Sequence, residues 1–327
     1  MHNRLALSAA LFEPLRAGGK PCLIGCAALM ALGCLAPGAP ASSAAPPERL
    51  SVAAASGTLA VWSRRASQPR GVVVLVHGRT WSARTAFDFE PHAGSRSLLK
   101  ALAAAGFTSY AVDLPGYGQT PRDPSGWLAP HQAVEDVEAV LRFAAARHAG
   151  LPPPVLFGWS RGSKIAALAA TRARVPIGAL VLYGFTLDPA AAPPNGPAAG
   201  QAPAVANTVA AARSDFISPE VASPTLIQDF VEAALANDPV RVDVCCDAEF
   251  LAVQPEAIRV PTLLIQGTRD PGIKPDVAAA FFAHLGAADR RFILIGRGDH
   301  AAHLEDTGPG FTAALVEFVR ASLERHR

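Results

Sequence analysis

Short apolar runs that read as buried β-strands alternate with helix-like segments along most of this chain. The run Gly71 to Val76 (GVVVLV) is continuous and β-branched, which is typical of a strand buried on both faces of a parallel sheet. The other predicted elements are an opening hairpin at Leu50–Arg64, strands at Thr108–Val112, Val155–Phe157, Ala179–Tyr183, Thr262–Gln266 and Phe292–Ile295, and helices at Ser97–Gly106, His131–Ala146 and Gly310–Leu323. This alternation predicts an α/β fold in which helices cover both faces of a mostly parallel sheet.

One long segment, residues 187–260, interrupts the alternation. It starts with Pro/Ala/Gly-rich residues (188–204) and continues with a predicted helix, which Ser223 caps and Pro224 begins. An insertion between two strands of one sheet lies over the carboxyl ends of the strands, where ligands bind. The segment is therefore predicted to be a helical lid, and the alternative is a structural excursion with a surface loop.

The first 45 residues are typical of a targeting leader. Positive charges precede an uncharged apolar run at 22–35 (CLIGCAALMALGCL), which is too short to span a bilayer, and small residues follow it. The leader predicts export. Its removal would leave a periplasmic or secreted protein with no membrane span, and the core of this protein would be residues 46–186 and 261–327. Cys34 lies in a faint lipoprotein-like box and offers a lipid anchor instead, and an uncleaved leader is the remaining alternative.

Composition limits the partners of the chain. The net charge is +2 over 327 residues, and no long basic run is present, so nucleic-acid binding has no support. Three of the five cysteines lie in the leader, and the other two, Cys245 and Cys246, are adjacent, which excludes a disulfide framework. They are interpreted as two ordinary thiols, with a strained vicinal disulfide as the alternative, and neither matches metal-ligand spacing.

A G-x-S-x-G pentapeptide, Gly158-Trp159-Ser160-Arg161-Gly162, lies between a predicted strand and a predicted helix. A serine on such a sharp turn exposes its hydroxyl above the sheet, and the flanking glycines let the turn close without a Cβ clash. Ser160 is therefore a candidate nucleophile. The pentapeptide alone also fits a plain turn, so the candidate depends on whether the rest of the chain supplies partners.

A nucleophilic serine needs a general base to take its proton. His300 follows the last predicted strand and can accept a proton at neutral pH as a neutral imidazole. His303 and His131 are the alternatives, and His303 is expected to pack against the last helix.

The base in turn needs a carboxylate that orients its ring. Asp270 follows the strand Thr262–Gln266 and is the candidate acid. Asp188 is the alternative, while Asp299 is disfavoured because it is the immediate neighbour of His300.

An oxyanion hole needs two N–H donors. The residue after the nucleophile, Arg161, supplies one, and Arg79, in the loop His77-Gly78-Arg79 after the strand 71–76, supplies the other. Both contributions come from the backbone. His77 is interpreted as a residue that orders this loop.

Taken together, these motifs resemble the α/β-hydrolase fold superfamily in its lidded, esterase-like serine-hydrolase form. The motifs that carry the resemblance run in family order from about residue 70 to about residue 325: His77-Gly78, Asp113-Leu114-Pro115-Gly116-Tyr117-Gly118, the pentapeptide 158–162, Gly267 with Asp270, Gly298-Asp299-His300, and Leu304-Glu305. The resemblance implies an eight-stranded sheet with the lid inserted after the sixth strand. It also implies a Ser160–His300–Asp270 triad that uses no metal or cofactor.

Three sequence features differ from those of particular enzymes in this superfamily and so disfavour those activities. The chain has no His-Gly-Gly-Gly loop, which disfavours lipase-type enzymes for bulky alcohols. The nucleophile is Ser160 rather than aspartate, which argues against haloalkane dehalogenases and epoxide hydrolases. Trp159 precedes the nucleophile, whereas prolyl peptidases place a tryptophan after it, so an aminopeptidase is disfavoured but stays open.

The sequence thus predicts a serine hydrolase that cleaves a carboxylic ester of a small to medium, apolar molecule. Trp81, Tyr117, Trp159 and Phe216 are candidate pocket residues, although large aromatics are often plain core. An amidase, lactonase, thioesterase or carbon–carbon hydrolase would use the same triad, as would a cofactor-free haloperoxidase or an acyltransferase. A non-catalytic ligand-binding protein is the alternative from another class. The sequence leaves the oligomeric state open.

Overall fold

The computed structural model describes residues 46–188, 190, 196, 198–218 and 220–324. Its strands are β1 (Glu48–Ala54), β2 (Gly57–Arg64), β3 (Gly71–Val76), β4 (Phe107–Val112), β5 (Trp127–Leu128), β6 (Val155–Trp159), β7 (Ala179–Tyr183), β8 (Asp243–Val244), β9 (Thr262–Gly267) and β10 (Arg290–Ile295). Eight of them form one sheet in the order β1-β2-β4-β3-β6-β7-β9-β10. Only the pairs β1–β2 and β2–β4 are antiparallel, so the predicted mostly parallel eight-stranded sheet is confirmed.

Helices cover both faces of this sheet, as the alternation predicts. They are α1 (Ala83–Phe87), α2 (Leu98–Ala104), α3 (Pro130–Arg147), α4 (Arg161–Arg172), α5 (Val209–Arg213), α6 (Pro224–Asn237), α7 (Pro275–His284) and α8 (Gly308–Glu324). Apolar residues of α1, α2, α6 and α8 pack on one face, and those of α3, α4 and α7 pack on the other.

The continuous apolar run of β3 is explained by this two-sided covering. Val73 and Leu75 point into the layer with α2 and α8, whereas Val72, Val74 and Val76 point into the layer with α3 and α4. All five side chains are at most 1% exposed. Since alternate residues of a strand point to opposite faces, a strand between two cores has no polar position.

The parallel strands end together at one edge of the sheet. In the register, Val76 pairs with Gly158, Trp159 with Tyr183, and Gly267 with Ile295. The loops that carry the nucleophile elbow, the candidate acid and the candidate base all leave from this edge. Parallel α/β sheets bind ligands outside the carboxyl ends of their strands, so this edge is where a site is expected.

The segment 187–260 lies between β7 and β9, directly after the sixth strand of the large sheet. It contains α5, α6 and β8, and β8 forms a small parallel pair with β5. The predicted helix start is confirmed, because the Ser223 side chain accepts a hydrogen bond from Leu226 N–H and Pro224 is the first helical residue. The action of this segment as a lid stays a prediction.

The predicted leader and Cys34 lie outside the described residues. Within the described part of the chain, none of the helices combines the length and the apolar character that crossing a membrane requires.

Candidate active site

The nucleophile elbow is a strained turn between β6 and α4. Ser160 has φ 56° and ψ −120°, a conformation that a residue with a side chain adopts at a cost of about 1–3 kcal/mol. The two glycines are there because the backbone is crowded. A Cβ on Gly158 would lie 2.2 Å from the Gly162 carbonyl oxygen, and one on Gly162 would lie 2.3 Å from the Val76 carbonyl oxygen.

The loop after β3 approaches the nucleophile closely. A Cβ on Gly78 would lie 3.3 Å from Ser160 Cβ and 3.8 Å from its Oγ. His77 holds this loop, since its Nδ1 bonds the Gly78 carbonyl at 2.9 Å and its Nε2 accepts from Leu114 N–H at 3.2 Å. Full burial lowers the pKa of His77 to about 4, so the ring is neutral and acts as a structural link.

The two predicted oxyanion donors flank Ser160. Arg161 is the first residue of α4 and follows Ser160 directly, while Arg79 follows Gly78. The Arg79 peptide is held by Tyr117, whose hydroxyl donates to the Arg79 carbonyl oxygen. The structure thus brings both residues next to the nucleophile, and their role as donors stays a prediction.

The candidate base and acid are hydrogen-bonded to each other. His300 Nδ1 lies 2.7 Å from Asp270 Oδ2, and the side chains are 23% and 1% exposed, respectively. Burial lowers the pKa of His300, but the hydrogen bond and the charge of Asp270, together with weaker nearby carboxylate charges, outweigh it. The pKa of His300 therefore lies above its ordinary value of 6.5.

Neighbouring strands fix the backbone of His300. Its carbonyl oxygen accepts from Trp159 Nε1 at 2.9 Å and from the Tyr183 hydroxyl at 2.7 Å. Gly184 makes room for the imidazole, because a Cβ there would lie 3.1 Å from His300 Cε1. The ring is therefore placed by β6 and β7 as well as by Asp270.

Among the described residues, no hydrogen bond joins Ser160 Oγ to His300. The Ser160 N–H donates to the Tyr183 carbonyl at 2.8 Å, so the nucleophile and the base are both anchored to the end of β7. Catalytic hydrogen bonds in ligand-free sites are often long and tighten when substrate binds. Proton transfer between the two side chains stays a prediction.

The alternative bases have other surroundings. His303 is buried, its Nε2 bonds the Ala86 carbonyl at 2.9 Å, and its ring packs against Trp159 and against Phe311 of α8. Burial lowers the pKa of His303 to about 3, so it is a neutral core residue. His131 is the second residue of α3 and is exposed, and its Nδ1 lies 3.8 Å from Glu249 Oε2.

The alternative acids also have other partners. Asp188 lies 3.0 Å from Lys274 Nζ. Asp299 is fully buried, and its Oδ2 accepts the N–H groups of Ile217 and Ser218. These contacts tie the loop that carries His300 to the insertion.

The four predicted pocket aromatics are buried, with exposures between 1% and 7%. Trp81 donates to Asp215, Tyr117 to Arg79 and Trp159 to His300, while Phe216 packs edge-on against Phe230 at 5.2 Å. Three of them therefore use their polar atom to hold a loop of the site. Direct contact with a substrate stays a prediction for all four.

Sequence reasoning missed Asp215. This residue follows α5 in the insertion, and its Oδ2 accepts a hydrogen bond from the Trp81 indole. Burial raises the pKa of Asp215 to about 6, and the nearby charge of His300 opposes that rise. No strand end or motif precedes Asp215, so the sequence offers no local signal for it.

The structure also shows a buried carboxyl pair beside the base. The Asp299 N–H donates to Glu305 Oε2 at 3.1 Å, and both side chains are fully buried. Burial and the neighbouring Asp299 raise the pKa of Glu305, so Glu305 holds a proton at neutral pH.

In the described part of the chain, no group of three or more His, Cys, Asp or Glu side chains is arranged to hold a metal ion. Cys245 is a buried free thiol and Cys246 a half-buried one.

Solved structures with the same fold include several hydrolases. A thermophilic esterase from Thermogutta terrifontis, with malate bound, has a TM-score of 0.58 and 17% identity over 84% of this chain and 99% of that chain. A monoacylglycerol lipase from Paleococcus ferrophilus has a TM-score of 0.56 and 21% identity over 80% and 99%. A serine hydrolase involved in carbazole degradation (CarC) has 0.59 and 15% over 84% and 99%.

No protein in the curated comparison matches the sequence. A family model described as serine aminopeptidase, S33, matches residues 67–307, which span the elbow and both loops of the candidate acid and base. The chain therefore belongs to the serine aminopeptidase S33 family of α/β hydrolases.

Proposed function

We propose that this protein is a serine hydrolase that cleaves a carboxylic ester of a small to medium, apolar molecule. The observation that carries the proposal is the 2.7 Å hydrogen bond between His300 Nδ1 and the buried Asp270, at the same strand edge as the strained Ser160 turn. An esterase and a monoacylglycerol lipase are among the solved structures with this fold, so an ester is a substrate that the fold accommodates.

Each proposed residue has a defined role in the reaction. Ser160 Oγ attacks the ester carbonyl while His300 Nε2 takes its proton, and Asp270 stabilises the resulting imidazolium. The backbone N–H groups of Arg161 and Arg79 stabilise the negative oxygen of the tetrahedral intermediate. His300 then protonates the leaving alcohol, and a water molecule activated by His300 releases the acid from Ser160.

A neutral fluorophosphonate probe tests the nucleophile. We expect covalent labelling of the wild type at Ser160 and no labelling of Ser160→Ala, measured by intact mass and peptide mapping. Ser322→Ala is a matched control, because it removes a buried hydroxyl of α8 that has no hydrogen-bond partner among the described residues. A folded wild type that resists the probe would exclude the proposed mechanism.

An aminopeptidase is the second candidate, and Asp215 favours it. A mostly buried carboxylate near His300 can pair with the ammonium group of an N-terminal amino acid. If the protein is an aminopeptidase, its rate enhancement over the uncatalysed reaction should be larger for alanine 4-nitroanilide than for 4-nitrophenyl butyrate. Asp215→Asn should then lower only the hydrolysis of alanine 4-nitroanilide. The ester proposal expects the opposite preference and little effect of Asp215→Asn on butyrate hydrolysis.

A further inference from the structure

The Arg161 side chain is buried, yet one edge of its guanidinium makes no hydrogen bond to any residue that the structure describes. The residue is 7% exposed, and its Nη1 donates to Asp247 Oδ1. Its Nε and Nη2 are also buried and make no hydrogen bond within the described part of the chain. These two atoms lie on the same edge of the guanidinium, where two parallel N–H groups can donate to the two oxygens of one carboxylate.

The neighbours of Arg161 fix its position and add positive charge. Its Cζ lies 5.0 Å from the centroid of the Phe250 ring, and Lys164 Nζ lies 5.9 Å from the same centroid. Arg161 and Lys164 share one face of α4, three residues apart. Lys164 is half-buried and makes no ion pair with a described carboxylate.

Arg79 extends this cluster toward the nucleophile. Partial burial lowers the pKa of the Arg79 side chain most, and the positive charge of Arg161 lowers it further. Asp247 pairs with the Nη1 of Arg161 and not with the Nε or Nη2 edge. An uncompensated charge at a buried site is costly unless another charge pairs with it.

We infer that Arg161, with Lys164 and Arg79, forms an anion-binding subsite that receives a carboxylate carried by the acyl part of the substrate. This inference rests on the proposed function and corrects the apolar substrate to a half-ester of a short dicarboxylic acid. The backbone N–H of Arg161 is a proposed oxyanion donor. Its side chain therefore reaches a subsite within one side-chain length of the acyl carbonyl.

Two matched esters test the subsite. Monomethyl glutarate and methyl pentanoate differ only by a carboxylate in place of a terminal methyl group. We expect the wild type to prefer monomethyl glutarate in kcat/KM. Arg161→Met keeps the backbone N–H and most of the side-chain volume, and it should lower kcat/KM for monomethyl glutarate by about 10- to 150-fold. The value for methyl pentanoate should fall less, so that the ratio of the two kcat/KM values drops.

Arg172→Met is the control, because it removes a cation from the other end of the same helix, where Arg172 pairs with Glu135. It should leave the preference intact. Equal losses for both esters in Arg161→Met would assign Arg161 a purely structural role and overturn the inference. If Arg161→Met does not fold, the kcat/KM values of the wild type decide: no preference for monomethyl glutarate over methyl pentanoate overturns the inference.

The labelling experiment separates this inference from the proposed function. A wild type that the neutral fluorophosphonate labels at Ser160, but that does not prefer monomethyl glutarate, overturns the subsite and leaves the hydrolase standing. A folded wild type that the probe does not label overturns the proposed function itself.

Discussion

At the scale of single residues, the orientation of His300 depends on one carboxylate. Asp270 Oδ2 accepts from the ring, and Asp270 Oδ1 accepts from Gly272 N–H at 2.9 Å, so the carboxylate is held at both ends. We expect Asp270→Asn to lower kcat for 4-nitrophenyl butyrate by about 10⁴-fold, because an amide favours the wrong imidazole tautomer. Steady-state kinetics of the folded variant measure this.

Asp188→Asn is the companion variant, since Asp188 pairs with Lys274 away from the ring. It should stay close to the wild type. If Asp188→Asn abolishes activity while Asp270→Asn is harmless, Asp188 is the acid and the proposed triad is wrong.

The limits of sequence reasoning are clear at this scale. Asp270 and His300 were identifiable because each follows a predicted strand of a parallel sheet, and such ends meet at one edge. Asp215 was not, because its proximity to His300 depends on how the insertion folds over the sheet. The unpaired edge of Arg161 was equally hidden, since it depends on Asp247 and Phe250, which are more than 80 residues away along the chain.

At the scale of elements, the elbow joins β6 to α4 through a backbone contact that tolerates no Cβ. Gly158→Ala would place a methyl group 2.2 Å from the Gly162 carbonyl oxygen. We expect a loss of at least about 1–3 kcal/mol in the free energy of unfolding, measured by urea denaturation. Carbonyl oxygens of the helix start cannot move away without disturbing Ser160.

Gly310→Ala gives the opposite expectation. Gly310 lies in α8, and a Cβ there meets no atom within 4 Å. The change should stabilise the protein by about 0.5–1 kcal/mol, since glycine is a poor helix residue. Equal stabilities for the two alanine variants would contradict the crowding argument.

Element prediction succeeded where the sequence pattern was long. The strand Gly71–Val76 and the helix starting at Pro224 match the structure residue for residue at those points. The two-residue strands β5 and β8 were missed because two residues show no periodicity. Helix α7 was missed as well, because only two of its side chains, Ala278 and Phe281, are buried and its apolar face is narrow.

At the scale of the whole molecule, buried neutral histidines link stability to pH. The pKa of His303 is about 3 in the folded state and near 6.5 when the chain unfolds, because burial disfavours the charged ring. The unfolded chain therefore gains a proton first as pH falls below about 6.5. The stability that this ring contributes is complete above that pH and is lost toward pH 3, by about 1.4 kcal/mol per pH unit.

We expect His303→Gln to make the free energy of unfolding less dependent on pH between about 6 and 4 than in the wild type. Asp113, Asp136 and Asp215, whose pKa values burial raises to about 6, act in the opposite direction, but their contributions cancel in the comparison of the two proteins. His284→Gln, at an exposed position, serves as the control for replacing a histidine by glutamine. Parallel curves for the wild type and His303→Gln would refute the assignment.

Asp299 ties the insertion to the loop that carries His300. Its side chain accepts the N–H groups of Ile217 and Ser218, while its main chain continues directly into His300. A displacement of residues 217–218 that admits or releases a molecule must therefore break these bonds and disturb the base in the same event. Opening of the site for entry or exit would then also move His300 out of alignment. The open form would not catalyse the proposed reaction.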